Sequence, residues 1–182
     1  IGTHGVVLEE NLVDITTYSV GTSALGDQRI AYWGLQRFEA TADGGEVYAG
    51  SDLEVAQGGL DDLHAFDLPQ VARTAIEIAR RYDAAAFAAY PGLFASRRNY
   101  DVITGRDQQG RQRVGVLEQS WRVGGASGAE LAAMQAFARD RTRRLVRSFT
   151  MELRSEPAVI PPDATVYFRG IDPVAGPMTK YA

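Results

Sequence analysis

Apolar residues in this chain recur with two different periods, and the alternation between them predicts the order of its elements. From Leu68 the apolar positions Leu68, Val71, Ala72, Ala75, Ile76, Ala79, Tyr82 and Ala86 fall at helical spacing. Asp67-Leu68-Pro69 supplies a start signal, an Asp cap followed by a proline in the first turn, and Pro91-Gly92 a stop. A second helix is expected from Ser127, three residues before Glu130 in capping-box spacing, to about Arg139. The remaining chain reads as strands. Gly5 to Glu10 is predicted to be a short buried strand ending in two carboxylates. Ile15 to Val20, rich in β-branched residues, pairs through the Gly26-Asp27 turn with Arg29 to Phe38. A loop at 41–45 precedes the short segment Glu46-Val47-Tyr48. Leu93 to Ala95 and Tyr100 to Ile103 form a strand region, which turns at Asp107-Gln108-Gln109-Gly110 into Val114 to Glu118. Further strands are expected near Val146 to Leu153 and at Thr165 to Phe168. Strands on mostly antiparallel connections with two principal helices define an α+β fold, and nothing in the pattern suggests more than one domain over residues 1–182.

Composition narrows the function classes. The chain has 182 residues, 45% hydrophobic and 23% charged, with a formal net charge of -4. That balance gives no global field for nucleic acid or a membrane surface. The basic run Arg139 to Arg147 lacks interleaved stacking aromatics and reads as a helix C-terminus. No apolar run reaches the ~20 residues that span a bilayer, and a cytoplasmic location is expected. There is no cysteine, so disulfides and thiolate metal sites are excluded. Lys180 is the only lysine. The first expected strand lies within a few residues of Ile1, as though the chain were cut from a longer one.

Chemistry concentrates between Tyr100 and Ser127. Two strands of one hairpin each carry an acid, Asp101 and Glu118, and alternation puts Glu118, Ser120 and Arg122 on one face. Two carboxylates and a hydroxyl are hard oxygen ligands of the kind magnesium takes together with substrate phosphates. An arginine beside them can neutralise a transferring phosphoryl group. Gly124 to Ser127 leads into a helix N-terminus, where anions are favoured. The same residues also admit a plainer reading, a solvated face with a surface ion pair between Glu118 and Arg122. Arg97 and Arg98 either bind a substrate carboxylate or balance local acids. Ser51 and Asp52 could face a cleft, whereas His4, His64, Trp33 and Trp121 read as solvated or core residues.

Glu118-Gln119-Ser120-Trp121-Arg122 resembles the Glu-x-Asn-x-Arg signature of the ATP-grasp superfamily, and Asp101 in Asn99-Tyr100-Asp101-Val102-Ile103 resembles the acid on its preceding strand. Val6-Val7-Leu8-Glu9-Glu10-Asn11-Leu12 resembles the adenine hinge, and Thr17-Tyr18-Ser19-Val20 the strand after it. These matches lie in family order over most of residues 5 to 128. Longer runs, such as Phe94 to Asp101 and Val166 to Pro173, resemble a family of uncharacterised bacterial ATP-grasp-like proteins. The resemblance implies the C-terminal part of an ATP-grasp fold, with the upstream nucleotide-gripping lobe outside this chain. It implies ATP held at Glu9, Glu10, Asn11 and Leu12, magnesium at Asp101, Glu118 and Ser120, and Arg122 as the catalytic cation. The implied activity is ATP-dependent ligation: a carboxylate is phosphorylated and then captured by an amine or other nucleophile, with small-molecule partners and a possible homodimer. Ser120 stands where the family has asparagine, and Thr16 or Thr17 where it has a ribose-binding acid, with Asp14 as a substitute. A kinase-like transferase and a non-catalytic nucleotide- or partner-binding scaffold are the alternatives.

Overall fold

The computed structural model describes residues 5–6, 8–41, 44–154 and 159–182. Eight antiparallel strands form one sheet: β1 (Val13–Leu25), β2 (Gln28–Ala40), β3 (Glu46–Gln57), β4 (Arg97–Arg106), β5 (Gln112–Ser120), β6 (Leu145–Leu153), β7 (Val166–Asp172) and β8 (Gly176–Tyr181). They are ordered β5-β4-β1-β2-β3-β6-β8-β7. Helices α1 (Leu60–His64) and α2 (Gln70–Ala89) lie between β3 and β4 in the chain, and α3 (Ser127–Arg139) between β5 and β6. The α+β class and the two longer helices therefore agree with the pattern of the sequence. Among the described residues no helix is long and apolar enough to cross a membrane.

Each face of the sheet has its own core, because alternation along a strand sends successive side chains to opposite sides. Tyr18, Val20, Ala31, Ala56, Tyr100 and Val102 face α1 and α2. Ala72, Ala75, Ile76 and Ala79, the inward stripe of α2, pack against them. Burying side chains such as Ile76 and Leu63, both almost fully enclosed, contributes about 1.5–3 kcal/mol each. Ile30, Tyr32, Leu53 and Val55 point the other way, where Ala126 at the N-cap of α3 and Ala129, Ala133 and Phe137 within it cover them. Small residues on that helix face let α3 sit close to the sheet. It covers β3 and β6 and leaves the β1–β4–β5 part of the same face open.

Several local expectations are corrected. The strand expected from Gly5 to Glu10 is absent among its described residues, Val7 lying outside them; Leu8 is 91% exposed, and no neighbouring strand covers it among the described residues. Asp67 does not cap α2, whose N-cap is Pro69; the carboxylate instead approaches Arg73 at 3.8 Å. Ser127 does not cap α3, whose N-cap is Ala126. Its hydroxyl accepts the Gly124 amide at 3.0 Å, and Glu130 is drawn into the sheet by buried partners. Leu93 to Ala95 lies outside β4, and β5 stops at Ser120, two residues short of Arg122. The segment 46–48 is the start of the full strand β3, and β8 adds a strand between β6 and β7.

Candidate functional site

The uncovered part of the α3 face is a polar cleft of about 230 Å³, lined by the acids Asp101 and Glu118 and the arginines Arg97 and Arg122. Its floor follows from strand register. Asp101 on β4 sits directly opposite Glu118 on β5 and opposite Ser19 on β1, and Asn99 sits opposite Ser120. Side chains paired in this way share a face, with Cβ atoms about 4.5–5.5 Å apart. The register shifts one step further along, between Asp101 and Val102. Beyond Ser120 the chain leaves the sheet, and Arg122 lines the cleft from the loop, with Gly124 and Gly125 beside it. Trp121 turns to the opposite side, against the α2 core. Gln36 and Ser51 complete the wall across the sheet.

Hydrogen bonds fix one of the two acids. Asp101 Oδ1 accepts from Asn99 Nδ2 at 2.9 Å and lies 3.5 Å from Ser19 Oγ, which in turn accepts from Gln36 Nε2 at 3.1 Å. Asn99 Oδ1 lies 3.0 Å from the Tyr32 hydroxyl, and that hydroxyl is 2.9 Å from Glu130 Oε1. Glu130 is held by the buried guanidinium of Arg97 at 2.8 Å. Arg97 also donates to the carbonyls of Ser120 and Arg122, which pins the strand end that carries the second acid. A buried chain of polar groups thus runs from α3 through β2 to the cleft. Burial, reinforced by the Glu130 carboxylate, holds the Tyr32 phenol well above its ordinary range, so it remains protonated. Gly21 makes room for this tyrosine: a Cβ there would stand 2.5 Å from its hydroxyl and 2.3 Å from the Arg98 carbonyl.

What the cleft lacks is as telling as what it holds. Among the described residues neither Asp101 nor Glu118 has an ion-pair partner, and Glu118 accepts no hydrogen bond. Among the described residues the Arg122 guanidinium donates only to its neighbour's carbonyl, at 3.0 Å from Val123. Among the described residues the surface pair between Glu118 and Arg122 does not form, so two carboxylates without an ion-pair partner face each other across a pair of strands, and the Arg97 guanidinium acts on Asp101 only from beyond ion-pair distance. Like charges so placed are destabilising unless a cation joins them.

The remaining expected residues scatter. Glu9, Glu10, Asn11 and Leu12 do not line the cleft. Glu10 pairs with Arg113 at 3.3 Å, five residues before Glu118 and so about 17 Å along the strand. Asp14 adopts φ 53 beside a register break in β1 and approaches Arg106 at 3.9 Å. Arg97 and Arg98 balance local acids, Glu130 and Asp83, although Arg97 also lines the cleft. Ser51 faces the cleft, but Asp52 points to the other side and pairs with Arg37. His64 lies exposed on α1, and His4 is outside the described residues. Ser19, Gln36, Tyr48 and Asn99 join the cleft without having been singled out from the sequence. Register opposite Asp101 is the signal that brings in Ser19.

Residues 1–182 match the family described as proteins of unknown function, DUF3182. The chain belongs to the DUF3182 family. No curated protein and no solved structure matches it. The paired acids, Ser19, Ser120 and Arg122 are therefore assigned in this DUF3182 chain on geometry and chemistry alone.

Proposed function

We propose that this protein is an ATP-dependent ligase-type enzyme related to the ATP-grasp superfamily, acting on a carboxylate and an acceptor nucleophile. The observation that carries the reading is the register pair Asp101–Glu118, neither acid in an ion pair among the described residues, with Arg122 alongside. The donor set fits magnesium. Two carboxylates with the Ser120 hydroxyl offer only hard oxygens, and among the described residues no three His, Cys, Asp or Glu side chains cluster into a complete cage. A magnesium ion that keeps waters and binds substrate phosphates needs no such cage. When bound, it supplies charge neutralisation for the phosphates of ATP.

The chain's own residues then have separate tasks. Asn99 and Ser19 orient the Asp101 carboxylate, and the Arg97 contacts hold the β5 end so that Glu118 stays opposite it. Arg122 has donors to spare for the terminal phosphoryl group. A substrate carboxylate oxygen attacks the γ-phosphorus, the bond to the bridging oxygen breaks, and ADP leaves. An amine nitrogen then displaces phosphate from the acyl phosphate, releasing a proton. Glu9 to Leu12 are the proposed adenine contacts. A kinase-like transferase would use the first step only.

A non-catalytic nucleotide-binding scaffold is the second reading, favoured by Ser120, a weaker ligand than the asparagine of the resembled motif. Calorimetric titration of ATP into the full-length protein, with and without magnesium, tests the site. Magnesium-dependent binding lost in Glu118→Gln supports it; equal binding by that variant refutes the metal assignment. Release of phosphate that depends on an added amine separates ligation from phosphoryl transfer and from a scaffold.

A further inference from the structure

A cavity of about 510 Å³ opens at the far end of β2 and β3 from the Asp101–Glu118 cleft. Its place follows from the topology. The β1–β2 turn and the start of β2 bring Gln28 and Arg29, β3 ends there at Gln57, and the α3–β6 loop brings Arg141 and Arg144. Backbone hydrogen bonds hold these segments side by side: the Gly58 amide donates to the Arg29 carbonyl at 2.9 Å, and the Gln57 amide to the Arg144 carbonyl at 3.2 Å. Ile30 and Phe137, both buried, contribute an apolar part of the lining. The volume falls in the range of small-molecule sites. Gln28 lines this cavity and Gln36 the cleft, eight residues along β2, so about 27 Å of strand separates them.

The basic run from Arg139 to Arg147 divides at this cavity. Arg143 pairs with Asp140 at 3.1 Å and Arg147 with Glu54 at 2.8 Å. Arg141 and Arg144, like Arg29, form no ion pair and donate no side-chain hydrogen bond among the described residues. Capping of α3 does not account for them, because none donates to a carbonyl of that helix. Two acids share the lining. Asp62 spends Oδ2 on the Gly59 amide at 2.7 Å, and Asp27 stands exposed in the turn without an ion pair among the described residues. Three guanidinium groups against two carboxylates leave the lining cationic by one charge. An acceptor is unmet as well: Gln28 Oε1 is buried and takes no hydrogen bond among the described residues. A buried acceptor without a donor is unfavourable, and a ligand hydroxyl would satisfy it.

We infer that this cavity binds a small hydroxylated phosphate monoester, its phosphate on Arg141 and Arg144 with Arg29 as the third cation, and a hydroxyl donating to Gln28 Oε1. A phosphate monoester suits the site better than a carboxylate, because its charge of about −2 and three terminal oxygens meet several guanidinium forks at once. The inference does not rest on the ligase reading. The test is a two-dimensional amide NMR titration of the full-length protein with glycerol 3-phosphate in ~0.1 M sodium chloride, where loose surface pairing is screened. Glycerol is the uncharged control, and inorganic phosphate the control without a hydroxylated arm. Glycerol 3-phosphate should shift the amides of Arg29, Gly58, Arg141 and Arg144, glycerol should shift none of them, and inorganic phosphate should bind several-fold more weakly for want of the Gln28 contact. Arg141→Gln and Arg144→Gln should each weaken glycerol 3-phosphate about tenfold, since each removes a charge-assisted contact. Gln28→Met should bring it to the level of inorganic phosphate. Arg139→Gln removes an arginine that also has no ion pair among the described residues but does not line the cavity, and it should change nothing. Shifts absent at millimolar ligand, shifts centred on Arg122 and Gly124, equally tight inorganic phosphate, or equal losses in Arg139→Gln and Arg144→Gln would each overturn the assignment. Magnesium-ATP titration of the same sample reads the ligase proposal separately: phosphate-ester binding here without nucleotide binding in the cleft would sink that proposal and leave this site standing.

Discussion

Replacing Glu118 with glutamine should change stability in opposite directions with and without magnesium. Asp101 and Glu118 occupy directly opposed positions, and neither forms an ion pair among the described residues. Taking about 5 Å between the charges, Coulomb's law gives about 0.8 kcal/mol of repulsion at the dielectric constant of water and about 3 kcal/mol at an effective value of 20. Glu118 is exposed and Asp101 half-buried, so the lower figure governs, and salt reduces it further. Glu118→Gln keeps the shape, removes the repulsion and should stabilise the metal-free protein by about 0.5–1 kcal/mol. With magnesium at a hundred times its dissociation constant, binding to the native state adds about 2.7 kcal/mol to the parent protein. The variant should gain little of this. Urea denaturation at low ionic strength, with chelator and then with magnesium, measures both terms. A variant destabilised in chelator would refute the uncompensated pair, and an equal magnesium gain in both proteins would refute the metal site.

The buried support of the cleft gives further predictions. Tyr32→Phe removes the hydroxyl that meets both Asn99 and Glu130, so it should cost about 1–3 kcal/mol in chemical denaturation; it should also weaken magnesium-ATP binding, since Asn99 then loses its fixed orientation toward Asp101. Arg97→Met strands a buried Glu130 carboxylate and should cost about 3–5 kcal/mol, whereas Arg97→Met combined with Glu130→Gln should recover part of that loss in a double-mutant cycle. Gly21→Ala places a methyl carbon against the Tyr32 hydroxyl and the Arg98 backbone, and should lower the thermal midpoint even though alanine suits a strand better than glycine does. At the β4–β5 turn, burial alone would raise the Asp107 carboxyl, but hydrogen bonds from the Arg111 amide and guanidinium and the Gln109 amide hold it below the ordinary range. A lowered folded-state value means that its stabilisation is complete above the unfolded value of about 3.9 and is lost as the pH falls through the folded one. Asp107→Asn should therefore flatten the acid limb of the stability profile, as followed by circular dichroism.

The sequence is most readable where periodicity and burial coincide. The α2 stripe of Ala72, Ala75, Ile76 and Ala79 is buried as its spacing requires, and the Gly26-Asp27 turn joins two long strands with Gly26 at φ 61. Glycine misleads at Gly50. It looks like a loop signal after Tyr48, yet it sits at a bulge where β3 slips by one residue against β2, with φ 151. Apolar content misleads at Leu8, because a hydrophobic run becomes a buried strand only where another element covers it. The cleft divides in the same way. Asp101, Glu118, Ser120 and Arg122 lie close in sequence and are legible together, but Tyr32 and Glu130 are 98 residues apart. No local pattern announces a contact of that kind. Ser19 is intermediate: once the hairpin partner of β4 is known, register delivers it.

The same network also bears on how a site of this kind is kept ready. An isolated pair of facing carboxylates would relieve its repulsion by turning apart, since exposed side chains change rotamer at little cost. Here one acid is restrained through Asn99 and Ser19, and the strand end carrying the other is tied by Arg97 to the Ser120 and Arg122 carbonyls. Arg97 and Glu130 are themselves enclosed, and breaking a buried pair costs far more than the repulsion it helps to maintain. The helix α3 that contributes Glu130 starts just past Gly124 and Gly125, which follow Arg122 in the chain and line the cleft. A shift of α3 would therefore be felt at Arg97, at the β5 end and at Glu118 together. On this view Arg97→Lys, which keeps the charge but not the fork of donors, should weaken magnesium-ATP binding although Arg97 is no proposed metal ligand. Calorimetric titration decides the point: unchanged binding by the folded variant would show that the network positions nothing.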